Sequence, residues 1–105
     1  MLFDRTRKIC FCGDALKFEL DPKDFRRATT ISAHKAFVRG VPLTVNELRH
    51  YRDVFERLDF TQTWTPFEPA ANVGRTEVLA LIDAMLGTRP HAAPVPLDRL
   101  PIAKR

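Results

Sequence analysis

The chain has 105 residues, of which 45% are hydrophobic and 29% charged, with a formal net charge of +4. These are the proportions of one soluble globular domain with a single core. No apolar run approaches the roughly 18 residues needed to span a bilayer, and the opening Met-Leu-Phe-Asp-Arg-Thr-Arg-Lys has no apolar stretch behind it, so the expected setting is cytoplasmic, without membrane contact.

The first twenty residues predict a β-hairpin. Lys8 to Cys12 and Leu16 to Leu20 are rich in aromatic and branched residues, and Leu16, Phe18 and Leu20 alternate with Lys17 and Glu19. Gly13-Asp14 supplies the turn between them. A lone hairpin is marginal in water, and Thr61 to Thr65 has the propensity to add a third antiparallel strand. Asp21-Pro22-Lys23-Asp24 reads as a helix start, with Asp as N-cap and Pro at the first helical position, opening a helical segment over residues 22–39 with a weak centre at Thr29 to Ser32.

Gly40 and Pro42 close that segment, and Thr44 with Glu47 forms a capping box for the next helix, flanked by Leu43 and Leu48 as a hydrophobic staple. Over residues 45–59, Leu48, Tyr51, Phe55 and Leu58 form one apolar stripe, while Arg49–Asp53, Arg52–Glu56 and Asp53–Arg57 lace the other face at i,i+4 spacing. Residues 60–74 form a long aromatic connection. A last helix, 75–86, is apolar nearly all round, as a central core helix or a partner-covered one would be. The tail from Thr88 holds Pro90, Pro94, Pro96 and Pro101 and is expected to be extended. The predicted architecture is α+β: an N-terminal hairpin, extendable to three antiparallel strands, packed on about three helices as a domain over residues 1–87, with an extended Pro-rich tail over residues 88–105.

Catalytic signatures are absent: there is no G-x-S-x-G, no phosphate-cradling glycine loop and no H-E-x-x-H. Glu47, His50 and Asp53 share a helical face, but in an ion-paired surface setting. Cys10 and Cys12 could give two metal ligands, yet a tetrahedral site needs four and only His34, His50 and His91 could complete it. Buried small hydrophobes are the expected role of these cysteines, with no cofactor and no metal.

Two binding functions remain. Residues 21–57 carry a net +3 and residues 58–88 a net −3. A helix-turn-helix-like segment over residues 22–52 could read DNA, with Lys23, Arg26, Arg27, Lys35 and Arg39 on phosphates and Asn46 and Arg49 on bases. Against this, the glycine-to-apolar register of that motif fails at Asn46, and Glu47, Asp53 and Glu56 lie near the same face. The preferred expectation is a small non-enzymatic adaptor, inhibitor or accessory subunit, of the size that phages and mobile elements encode. It would bind a protein partner or a second copy of itself through Trp64 and Phe67 and the apolar points of the tail, Val95, Leu97, Leu100 and Ile102.

Overall fold

The computed structural model describes residues 2–13, 16–33, 45–87, 95–100 and 102. They form an α+β fold of seven strands in two sheets and two helices. The expected arrangement of one hairpin on three helices is therefore corrected, and the correction begins at the N-terminus. Strand β1 (Leu2–Asp4) turns back into β2 (Ile9–Phe11) through a loop in which Asp4 Oδ1 accepts the backbone N–H groups of Thr6 and Arg7, both at 3.0 Å, and Lys8 adopts φ 57°. The carboxylate satisfies two turn amides, so a hairpin forms one strand earlier than expected.

Strand β2 does not fold back onto the residues that follow it. The Cys12 N–H donates to the Trp64 carbonyl at 3.1 Å, and β2 runs parallel to β5 (Gln62–Trp64). Gly13, at φ 60°, then leads the chain into the second sheet. The third strand foreseen at 61–65 exists, but in parallel rather than antiparallel pairing.

The second correction concerns residues 22–39. Here β3 (Leu16–Asp21) pairs antiparallel with β4 (Asp24–Ala33), so the helix expected from residue 22 is a strand at least to Ala33. Asp-Pro opens a β-turn as readily as a helix, since Pro presets the φ of both and Asp can bond an amide two residues on. Asp21 Oδ1 accepts from Lys23 N–H at 2.9 Å, which is the turn solution. The run Thr29-Thr30-Ile31-Ser32, the weak centre of a helix, suits a strand because β-branched side chains lose little freedom there. His34, Lys35, Arg39, the Gly40–Thr44 turn and His91 lie outside the described residues.

The first sheet has the order β1-β2-β5-β6, with β6 at Pro69–Ala70; the second is β3-β4-β7, with β7 at Val95–Pro96. A seam joins them. The Ala71 N–H donates to the Arg26 carbonyl at 2.7 Å, and the Asn72 amide serves both polar groups of Ala28, accepting from its N–H and donating to its C=O at 2.8 Å each. One side chain thus acts as a strand neighbour where β6 has ended.

Helices α1 (Val45–Glu56) and α2 (Arg75–Gly87) pack on each other. Arg52 bridges them through Nε to Asp83 Oδ1 at 2.7 Å and reaches Glu56 at 3.3 Å. That hydrogen bond to Asp83 raises the Arg52 pKa further. The other two expected i,i+4 pairs on α1 do not close. Gly74 caps α2: its N–H donates to Glu77 Oε1 at 2.9 Å, and its carbonyl accepts from Val78 at 3.2 Å. A Cβ at Gly74 would stand 3.1 Å from the Phe60 carbonyl oxygen and 3.2 Å from the Thr61 Cα, so the close approach of backbone selects glycine.

Helix α2 is central in the core rather than awaiting a partner: Val78, Ala80, Leu81, Ile82 and Met85 are buried beside Leu48, Phe55, Phe60 and Ile31. The tail closes over the same core. Strand β7 pairs with β4, Leu100 is 7% exposed, and Val95, Leu97 and Ile102 pack against the cluster. No helix among the described residues is long and apolar enough to cross a membrane.

Two stability measurements test this frame. Leu100→Ala is expected to cost about 2–5 kcal/mol in urea unfolding, the range for a buried leucine truncation; no loss would mean the described part of the tail stands off the core. Asn72→Ala leaves the Ala28 N–H and C=O without their partner and is expected to cost about 1–3 kcal/mol. Asn72→Asp, which sets a carboxylate oxygen against the Ala28 carbonyl, should cost at least as much.

Candidate functional site

Residues paired across strands share a face of the sheet, and neighbours along a strand alternate faces. In the first sheet this sorts the side chains into two rows. Phe3, Cys10, Thr63 and Ala70 are in register and line the core, where Cys10, Thr63 and Ala70 are buried and the Thr63 hydroxyl donates to the Val73 carbonyl at 2.8 Å. Leu2, Phe11, Trp64 and Pro69 are also in register, on the opposite face.

The second row is open at its β1 end. Leu2 is 74% exposed and Phe11 37%, while Trp64 is half-buried. Ile9, two residues before Phe11, is buried, so the opening is confined to one end of the face. Leu2, Phe11, Gly13, Trp64, Thr65 and Pro66 border a cleft of about 310 Å³. Phe11 meets Trp64 edge to face, with ring centroids 6.0 Å apart. Arg26 reaches from β4 across the seam and sets its guanidinium carbon 5.7 Å from the Trp64 ring centroid. The indole N–H donates to Gln62 Oε1 at 3.3 Å, which fixes the ring.

The rim of the cleft is a turn built by Thr65. Its N–H donates to the Glu68 carbonyl at 2.9 Å, and its hydroxyl oxygen accepts from the N–H groups of Phe67 at 3.2 Å and Glu68 at 3.1 Å. This turn holds out Phe67, 81% exposed. The Glu68 carboxylate in turn accepts the Phe18 N–H of β3 at 3.0 Å.

Of the residues expected to bind a partner, Trp64 lines this cleft and Phe67 lies on the turn at its rim. Val95, Leu97, Leu100 and Ile102 instead turn to the chain's own core. The sequence reading missed Leu2, Phe11, Arg26 and Pro66 as members of the site. A signal for Phe11 was present: two core cysteines at 10 and 12 put the residue between them on the opposite face.

The basic residues of the DNA reading do not form one helical unit. Lys23 sits in the β3–β4 turn, Arg26 and Arg27 on β4, and Asn46 and Arg49 on the exposed side of α1. Arg27 is paired with Asp21 at 3.1 Å. His50, Glu47 and Asp53 are exposed on α1, where His50 stands against Tyr51 with ring centroids 6.2 Å apart; Asn46, Glu47, His50 and Tyr51 border a second hollow of about 360 Å³.

Cys10 and Cys12 are buried and free. Among the described residues no cluster of three or more His, Cys, Asp or Glu could hold a metal ion. Burial pushes the Cys10 thiol from 9.0 up to about 11; burial and then the neighbouring Cys10 push Cys12 up to about 12. The Cys12 thiol lies 3.6 Å from the Trp64 carbonyl, to which it donates. Such thiols are poor nucleophiles.

The fold favours the neutral thiols, so their contribution to stability is complete below pH 9 and is lost as pH rises towards 11 and 12. Accordingly, both thiols should react with a disulfide reagent at pH 8 only after urea unfolding. A Cys10→Ala, Cys12→Ala variant should show a shallower loss of stability above pH 9 than the natural chain; prompt labelling of the native protein would contradict this assignment. No protein-family model, curated protein or solved structure matches this chain, so its own geometry is what bears on function.

Proposed function

We propose that this chain is a small non-enzymatic protein-binding module, an adaptor, inhibitor or accessory subunit, which engages its partner through the cleft between Leu2, Phe11, Trp64 and Pro66 and through the neighbouring Phe67. The observation that carries this reading is the uncovered in-register row on the outer face of the first sheet. Exposed apolar side chains that stand singly are ordinary, but a contiguous group around a concavity is the usual mark of a binding surface.

Three further features support it. A tryptophan ring held by Gln62, Phe11 and Arg26 loses little freedom on binding, so its burial is not offset by ordering. Burying a large apolar side chain contributes about 1.5–3 kcal/mol, so apolar anchors seated in the cleft would supply a substantial share of the binding free energy. The net charge of +4 favours encounter with acidic surfaces. The buried side of α2 and the described tail residues Val95, Leu97, Leu100 and Ile102 pack within the chain's own core, which favours the cleft over them as the partner's seat.

Peptide display against the immobilised full chain tests the proposal. Selected ligands should change Trp64 fluorescence and shift the amide resonances of Leu2, Phe11 and Trp64. A Leu2→Ala, Phe67→Ala double variant, both residues being exposed, should lose roughly tenfold in affinity. Ligands that bind the variant as tightly as the natural chain would remove the cleft from the function.

A further inference from the structure

Resting on the reading that the cleft receives a partner protein, we propose that its occupant is an extended acidic peptide segment. A large apolar side chain enters between Leu2, Phe11, Trp64 and Pro66, and a carboxylate two residues along pairs with Arg26.

The charge pattern around the cleft leads to this occupant. Arg26 lies over the Trp64 ring of the apolar row, and among the described residues no carboxylate pairs with it. The two acids of its own turn are engaged elsewhere. Asp24 Oδ1 accepts the Arg26 backbone N–H at 3.1 Å, while Asp21 serves the Lys23 N–H at 2.9 Å and the Arg27 guanidinium at 3.1 Å. Lys23, in the same turn, has no ion pair among the described residues. Glu68, the acid beside the cleft rim, is bonded to the Phe18 N–H on β3 at 3.0 Å. Held over Trp64 and without an ion pair among the described residues, the guanidinium has N–H groups for a carboxylate, which it can grip with two parallel hydrogen bonds.

The spacing fits an extended chain. The Trp64 ring centroid lies 6.0 Å from that of Phe11 and 5.7 Å from the Arg26 guanidinium carbon. Side chains on one side of an extended peptide recur every ~6.6 Å. An apolar side chain seated against the Trp64 ring can then carry a same-side carboxylate at a distance comparable with the 5.7 Å between that ring and Arg26. The cleft's lining of Leu2, Phe11, Trp64 and Pro66 is apolar, which suits an apolar side chain.

The full chain, isotope-labelled, is titrated with the capped peptide Gly-Ser-Leu-Ser-Glu-Ser-Gly and with its Gln analogue, and separately with a twelve-residue oligothymidylate. Binding of the Glu peptide about threefold to fivefold tighter than the Gln peptide is expected, in the range of a partly exposed ion pair. Shifts should centre on Leu2, Phe11, Trp64 and Arg26. The preference should vanish in Arg26→Gln, persist in part in Arg26→Lys and fade at 0.5 M salt. Equal affinity for the two peptides, with the same residues shifting, would overturn the acidic preference and leave the protein-binding cleft standing. Failure of both peptides to bind, or tighter binding of the oligothymidylate at the same residues, would overturn the acidic-peptide occupant, and the second result would overturn the protein-binding reading as well.

Discussion

Two short sheets meet in this molecule along a seam that neither could make alone. Strand β6 is only two residues long, and where it ends the Asn72 amide takes over, bonding the N–H and C=O of Ala28 as a neighbouring strand would. Backbone polar groups inside a fold need partners, and at this point a side chain supplies both. The Ala71–Arg26 backbone bond beside it sets the height of β4 against the first sheet, and that height decides where Arg26 lands. The placing of its guanidinium over Trp64 is thus a consequence of the seam. So is the continuity of the core, since Ala28 and Ile31 on one side and Ala70 and Val73 on the other belong to one buried cluster.

The helical half of the fold was legible in the sequence, and the strand half largely was not. Leu48, Tyr51 and Phe55 on α1 are spaced as a helix spaces them, although the helix ends at Glu56 and leaves Leu58 beyond it, and the apolar run of α2 matches a helix central in the core. Those patterns are local, so a local reading finds them. Pairing between strands is not local. Strands β2 and β3 are each plausible hairpin halves, and nothing within twenty residues says that β2 will lie parallel to β5 instead. Asp21-Pro22 misled for a different reason: the fixed φ of proline and the acceptor of aspartate open a helix and a β-turn equally well, and only the β-branched run after Ala28 tips the balance.

The site was half visible for the same reasons. Trp64 and Phe67 stood out as large aromatics among prolines. Leu2 and Phe11 acquire meaning only when register places them beside Trp64. The tail's Val95, Leu97, Leu100 and Ile102 carried a true signal of burial, but a sequence cannot say whose surface does the burying, and here it is the chain's own.

The parallel pairing of β2 with β5 has a thermodynamic corollary. Cys12 and Trp64, bonded across that pair, are 52 residues apart in the chain. The cleft therefore has no local precursor: no isolated hairpin or helix of this protein contains it, and it comes into being only with the closed global fold. A ligand seated there binds the native state and finds nothing equivalent in the unfolded chain. Its binding free energy accordingly adds to the stability of the whole molecule, by about 2.7 kcal/mol at a hundredfold excess over its dissociation constant. For a domain held together by short strands, occupancy of the cleft and persistence of the fold are one coupled equilibrium.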